Sequence, residues 1–372
     1  MTSLVWLRDD LRLADNPALR AAVDRGEPVV VLFVLDEESP GIRPLGGAAR
    51  WWLHHSLQEL GDRLADKGAT LVLRRGAAGD VVPGAVADAG AESVFWNRRY
   101  GGPERAIDTQ LKQQLRDDGR EVESFAANLL FEPWTVRTGS GSPYSVFTPF
   151  WNTCLSLPAP RAPLAEPRTI DGAAAQDVKS DELAEWSLLP TRPDWAGGLR
   201  EAWEPGELAA RRRLRDFLDD DLGQYDRARD EPSAGATSLL SPRLRWGELS
   251  PHTVWHDTVA AAGSGAHAAS AHRFLSELGW REFAWHTLFH FPDLATRNWR
   301  SAFDAFPWPR LTPSHLRAWQ RGETGVPLVD AGMRELWTTG YMHNRVRMVT
   351  ASYLVKNLAI DWRRGEEWFW DT

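Results

Sequence analysis

The run VVVLFVL at residues 29–35, inside PVVVLFVLD, constrains this chain more than any other stretch. Seven apolar residues in a row, mostly β-branched, predict a strand buried on both faces, because a half-exposed strand would alternate with polar residues. Such a strand needs a sheet with helices on both sides. Further short strands are predicted at SLVWLR (3–8), TLVLRR (70–75), SVFWN (93–97) and EVESFA (121–126). Helical patterns lie between them, the longest at 48–68, where Gly68 offers a C-terminal cap. Strand and helix in alternation predict an α/β domain over 1–135, a doubly wound parallel sheet of five strands. Ligands of such sheets sit at the carboxyl ends of the strands. No GxGxxG follows the first strand and no GxxxxGK[ST] occurs, which argues against an ordinary dinucleotide or P-loop site.

After the sheet the pattern changes. Residues 139–151, GSGSPYSVFTPFW, run from turn residues into aromatics, and 158–205 hold seven prolines. The stretch 136–205 therefore reads as an interdomain connector. From 206 to 372 the pattern is helical with short loops, an all-α domain; the Ala/Ser/His stretch 260–272 reads as a loop and a helix start. No run of 18 apolar residues exists, and the first residues meet charge too early for a secretory signal. A single cysteine, Cys154, excludes an internal disulfide and fits a reducing cytoplasm, and no zinc-ligand spacing is present.

The formal net charge of −8 argues weakly against a general nucleic-acid coat, but residues 271–347 differ. They carry ten arginines against seven carboxylates, with six tryptophans among them. Arginine interleaved with aromatics suits phosphates and stacked bases, although solvated arginines beside core tryptophans would give the same composition. The chain has 20 tryptophans, for which core packing is the simplest reason and electron hopping through indoles the sharper one.

Three patterns could carry chemistry. Tyr225 and the stretch ATSLLS (236–241) predict a turn of clustered amides and hydroxyls that suits a diphosphate; helix capping by Thr237 or Ser238 is the plainer reading. Glu277 and Trp280 stand three apart on one predicted helix face, as an ion pair and a core indole would, or as a carboxyl and a stacking surface for a base. GYMHNRVRMVTASYLVKNLAIDW (340–362) reads mostly as a helix, with Val346, Val349, Tyr353 and Leu354 at helical steps and His343, Asn344, Arg345 and Arg347 crowding its start, where anions are favoured.

VWLRDDLRLADNPAL (5–19), the 139–151 stretch, QYDRARDEPSAGATSLLSPRLRWGELSP (224–251), FLSELGWREF (274–283), WQRGETGVPLVDAGMREL (319–336) and the 340–362 stretch together resemble the photolyase/cryptochrome family, in family order and across nearly the whole chain. The resemblance is closest to photolyases acting on cyclobutane pyrimidine dimers. It implies an all-α C-terminal domain that holds a folded FAD through Tyr225, Thr237, Ser238, Leu239, Leu240 and Ser241, with Arg281, Tyr341 and Asn344 near the ring system. It implies lesion contacts from Glu277, Trp280, Asn344 and Met348, and phosphate contacts from Arg345 and Arg229. Arg347 is expected to meet an internal carboxylate. Trp308 and Trp362 match the outer and middle members of the family's electron-transfer chain, while Trp319 is expected to be structural. Asn344 stands where relatives acting on (6-4) photoproducts carry a second histidine.

The implied activity is light-driven: an antenna pigment in the N-terminal domain, methenyltetrahydrofolate or 8-hydroxy-5-deazaflavin, feeds reduced FAD, which donates an electron to the dimer and recovers it after the ring splits. The implied partner is UV-damaged DNA containing pyrimidine dimers, met by a cytoplasmic monomer with no membrane association. Two rival readings remain: a cryptochrome-type light sensor without repair, and an inactive DNA-binding fragment. The chain stops at GEEWFWDT, before the family segment with the innermost tryptophan, two aspartates at the flavin and the neighbour of flavin N5. A C-terminally truncated member with a weakened flavin pocket is therefore expected.

Overall fold

The computed structural model describes residues 1–263 and 267–372. Five strands form one parallel sheet: β1 Ser3–Leu7, β2 Val29–Leu35, β3 Leu71–Arg75, β4 Ser93–Asn97 and β5 Glu121–Phe125. Helices α1 Pro17–Asp24, α2 Gly47–Asp66, α3 Ala78–Asp88 and α4 Gly102–Asp117 connect them. The strand order β3-β2-β1-β4-β5 is that of a doubly wound sheet, with the chain's direction of travel reversing at β1.

All seven residues of β2 are buried, as its unbroken apolar run requires. The period of two divides them between two cores. Val29, Val31, Phe33 and Leu35 pack with Val5 and Leu7 on one face; Val30, Leu32 and Val34 pack with Leu4 and Trp6 on the other.

Beyond the sheet, α5 (Phe147–Ser156) opens the stretch read as a connector and packs on a later helix. Residues 158–205 form a strap tied to the sheet domain, with only one short α-helix, α6 (Gly197–Ala202). Val29 N–H donates to Asp171 O at 2.7 Å and Asp181 N–H to Leu73 O at 2.7 Å. Ile170, Trp186, Leu188 and Leu199 join the core of the first sheet face. The prolines deny this strap regular hydrogen bonding but do not free it.

The helical half comprises α7 (Glu207–Asp216), α8 (Tyr225–Ala228), α9 (Ser241–Arg245), α10 (Pro251–Ala262), α11 (Ala268–His290), α12 (Pro313–Arg321), α13 (Pro327–Thr339), α14 (Asn344–Ser352) and α15 (Trp362–Asp371). In the 260–272 stretch α10 ends at Ala262 and α11 begins at Ala268; residues 264–266 lie outside the described residues. One departure from expectation stands out. Residues 291–312 are largely irregular, with two short 3-10 turns, where a helical pattern with short loops was expected; Pro292, Pro307 and Pro309 interrupt any helix there. Most of the 340–362 stretch is helical, as expected. It ends α14 in a π-helical turn at Tyr353–Asn357, breaks at Ala359 with φ of +51°, and restarts at Trp362. Val346 and Leu354 are buried as the period predicts, but Val349 is exposed. No described helix is long and apolar enough to cross a membrane.

The loop after β1 joins the two halves. Arg12 is fully buried and donates to Asp15 O, Ala127 O, Gly247 O and Asn128 Oδ1. Gly247, at φ +64°, lets the helical half approach, since a Cβ there would lie 2.1 Å from Asp9 O.

Candidate flavin and lesion site

The turn before α9 is built to receive an anion. Arg213 draws its carbonyls away, donating from Nε to Ser238 O at 3.0 Å and from Nη2 to Thr237 O at 3.1 Å. Leu239 takes a left-handed φ of +55°. Among the described residues, the N–H groups of Thr237, Ser238, Leu239 and Leu240 find no protein acceptor. Unpaired amides grouped in one turn are a phosphate cradle, since leaving them unbonded in a cleft is costly. Tyr341 joins this turn through its hydroxyl, 3.0 Å from Thr237 Oγ1. Burial raises the Tyr341 pKa and pushes that of Tyr225 up to about 12, so both phenols stay neutral.

Two cavities meet at the turn. One, of about 600 Å³, is lined by Tyr225, Arg229, Thr237 to Ser241, Glu277, Tyr341, Asn344 and Arg345. The other, of about 380 Å³, lies toward the sheet domain and holds Arg281, Phe274, Leu278 and Trp285. Ser238, Leu240, Ser241, Arg245 and Glu277 line both. The larger cavity thus collects thirteen of the residues singled out in the sequence, His343 and Arg347 among them. Arg281 belongs to the smaller one; Trp280, Met348, Trp308 and Trp362 line neither.

Glu277 and Trp280 sit on α11 as their spacing predicts. The Glu277 carboxylate pairs with Arg229, whose side chain is only 13% exposed. Arg229 is thus already paired at the cavity rim. Arg345 is exposed and pairs with Asp230, its Nε 2.7 Å from Oδ1. Arg347 meets no carboxylate among the described residues, against expectation; its guanidinium lies over the Phe369 ring at 4.8 Å, where burial lowers its pKa. Trp280 is 48% exposed and Met348 65% exposed, both open to a large partner. Arg281 is half-buried beside Glu282, whose carboxyl burial pushes up to about 7 while it accepts from the Leu130 and Phe131 amides.

Trp319 is fully buried and donates to Thr350 O at 3.0 Å, a structural role as expected. Trp362 donates to Asn298 Oδ1 at 2.9 Å, and Trp308 packs on Phe306 at 4.5 Å. Several site residues escaped the sequence reading. Trp52 of α2 and Trp203 of the strap wall the larger cavity, their rings 5.3 Å apart and edge to face. Phe147 supports Trp280 from below. Arg245 was visible only as part of the 224–251 stretch, yet it borders every cavity described here.

A third cavity, of about 320 Å³, opens at the carboxyl ends of β1 and β2, lined by Arg8, Asp9, Leu35, Asp36, Arg43, Trp246 and Trp285. That is where a doubly wound sheet binds its ligands.

The sequence comparisons agree with this layout. The DNA photolyase model matches residues 3–168, and the model for the FAD binding domain of DNA photolyase matches 274–372. A deoxyribodipyrimidine photo-lyase of Agrobacterium fabrum is 50% identical over 99% of this chain and 76% of its own length. The chain belongs to the DNA photolyase/cryptochrome family. A solved class III photolyase from Agrobacterium tumefaciens superposes with a TM-score of 0.95 at 48% identity, covering 100% of this chain and 76% of that one. Cryptochrome-1 of Arabidopsis thaliana is more distant, 38% identical over all of this chain and 55% of its own length. Within the family's fold, the orphaned amides and the two joined cavities fit FAD.

Proposed function

We propose that this chain repairs cyclobutane pyrimidine dimers in UV-damaged DNA in a light-driven reaction. The observation that carries the reading is that one cavity joins the phosphate-cradling turn to Glu277, Asn344 and Arg345. Reduced FAD, when bound, supplies the electron that opens the cyclobutane ring after light is absorbed. The chain's own residues do the rest. The turn amides fix the diphosphate, and Tyr341 holds the turn through Thr237. Glu277 and Asn344 offer hydrogen bonds to the thymine carbonyls and N–H groups, Trp280 stacks on a base flipped from the duplex, and Met348 fills the space beside it. Arg345, with Arg229 behind it, meets the DNA backbone and sets register without reading sequence.

Trp308 and Trp362 are assigned to electron transfer toward oxidised flavin. The cavity at the strand ends is assigned to the antenna pigment, a folate or a deazaflavin, whose flat heteroaromatic ring and polar edge suit its mix of apolar walls and arginines. We divide the chain into an antenna domain at 1–135, a connector at 136–205 and a flavin- and DNA-binding domain at 206–372. A monomer working where the DNA lies, in the cytoplasm, completes the reading.

The test begins with an absorption spectrum of the purified chain. A flavin band supports the cavity assignment, and repair of a dimer-containing duplex in light but not in darkness supports the reaction. Flavin bound with dimers left intact in light would favour the light-sensor alternative.

A further inference from the structure

Glu277, Arg229, Asp230 and Arg345 form an unbroken row of alternating charge at the rim of the larger cavity. Arg229 pairs with Glu277 through Nη1 and with Asp230 through Nε at 3.2 Å. Arg345 grips the same Asp230 through Nε at 2.7 Å and Nη2 at 2.5 Å. One exposed carboxylate therefore engages both arginines assigned to DNA phosphates. Its pKa lies below the usual carboxylate range, chiefly through the bond from Arg345, so it stays charged at neutral pH.

The His343 ring ties the main chains of the two arginines together. Its Nδ1 accepts from Arg345 N–H at 3.2 Å, which leaves the proton on Nε2 to donate to Arg229 O at 2.9 Å. The backbones are thus held by the imidazole, and Asp230 acts on the two guanidinium groups.

We propose that Asp230 is an internal stand-in for a DNA phosphate that occupies Arg345 and Arg229 until the duplex displaces it, and so sets how tightly the chain holds any DNA. This rests on the reading that these arginines meet phosphate and that Glu277 meets the lesion. An exposed ion pair is weak and screened by salt, so a polyanion can displace it. The displacement costs the same on any duplex. Asp230 thereby lowers affinity for undamaged and dimer-containing DNA alike, and the preference for the dimer is left to the lesion contacts of Glu277.

The test is Asp230→Asn in the 372-residue chain, with Asp230→Ser as a second variant. Binding is read by fluorescence anisotropy on two duplexes of one sequence, with and without a single thymine dimer, across a range of salt. The expected result is a roughly three- to tenfold tighter grip on the undamaged duplex at low salt, with a salt slope steeper by about one phosphate. The dimer-containing duplex gains by the same factor, and adding Arg345→Ala removes the gain. Equal or weaker binding to undamaged DNA, with an unchanged slope and an unchanged melting temperature, would overturn the proposal. The parent reading fails by different signs: no preference of the wild-type chain for the dimer duplex, or no loss of DNA affinity in Arg345→Ala.

Discussion

Phe147 lies parallel to Trp280, with ring centroids 3.8 Å apart and planes inclined by 10°. Phe147 begins α5 and Trp280 lies on α11, so two helices from distant parts of the sequence make one stack. The indole remains 48% exposed, which leaves room for a base. Removing the lower ring lets the indole sample other rotamers. We expect Phe147→Ala to weaken affinity for a dimer-containing duplex about three- to tenfold, the equivalent of the ~0.5–1.5 kcal/mol in such a pair. Undamaged-duplex affinity and flavin content should not change. A variant that binds the dimer as well as the wild-type chain would show that Trp280 needs no platform.

That stack depends on one glycine. A Cβ on Gly279 would lie 2.6 Å from the Trp151 ring, and Trp151 continues the stack beneath Phe147 at 6.4 Å. Gly279→Ala should lose stability through overpacking, by about 1–3 kcal/mol, more than the helix propensity of alanine returns. Denaturant titration measures it. Gly61→Ala on α2, where a Cβ would meet nothing within 4 Å, serves as the control and should be neutral or stabilising.

The Tyr341 hydroxyl braces the phosphate turn from α13's far end, 3.0 Å from Thr237 Oγ1. Tyr341→Phe should reduce flavin affinity by roughly three- to tenfold, about the worth of one hydrogen bond. Thr237→Ala should cost as much, and the double variant little more than either, because both remove the same bond. Flavin titration followed by absorbance decides it; independent, additive losses would mean that the two hydroxyls act separately.

The sequence revealed elements whose signal is local. The apolar run of β2 fixed a doubly buried strand, and ATSLLS announced its turn. The same reasoning read most of 340–362 as helix, which residues 344–357 are, but did not find its end; the left-handed Ala359 has no sequence signature of the kind glycine would give. Trp52 and Phe147 were missed for another reason. Each reaches the site from an element that periodicity places in a core or a connector, and only the fold brings them to the cavity and to Trp280. The pairing of Asp230 with Arg345 is equally invisible, since it depends on where α14 starts relative to α8.

A buried carboxyl between the two halves makes stability depend on pH. Glu248 is fully buried and accepts from Trp52 Nε1 at 2.8 Å, from Gly206 N–H at 2.8 Å and from the Ser56 hydroxyl. Arg243 is the cation facing it, at 3.8 Å, too far to offset the burial. Burial pushes the carboxyl up to about 7. The folded chain thus keeps a proton that the unfolded chain has already released at pH 6. The stability from this group is full below the ordinary glutamate range and is lost as pH rises through about 7. Glu282, also pushed up to about 7 by burial, adds the same trend from α11. Glu248→Gln keeps a neutral acceptor for the three donors and removes one of the two titrations. We expect the variant to melt close to the wild-type chain at pH 5 and to gain on it by pH 8, a relative shift on the order of 2 kcal/mol. Melting curves at pH 5, 6.5 and 8 provide the check. A variant that loses the same stability at every pH would mean that the Arg243 charge, and not the proton, governs this junction.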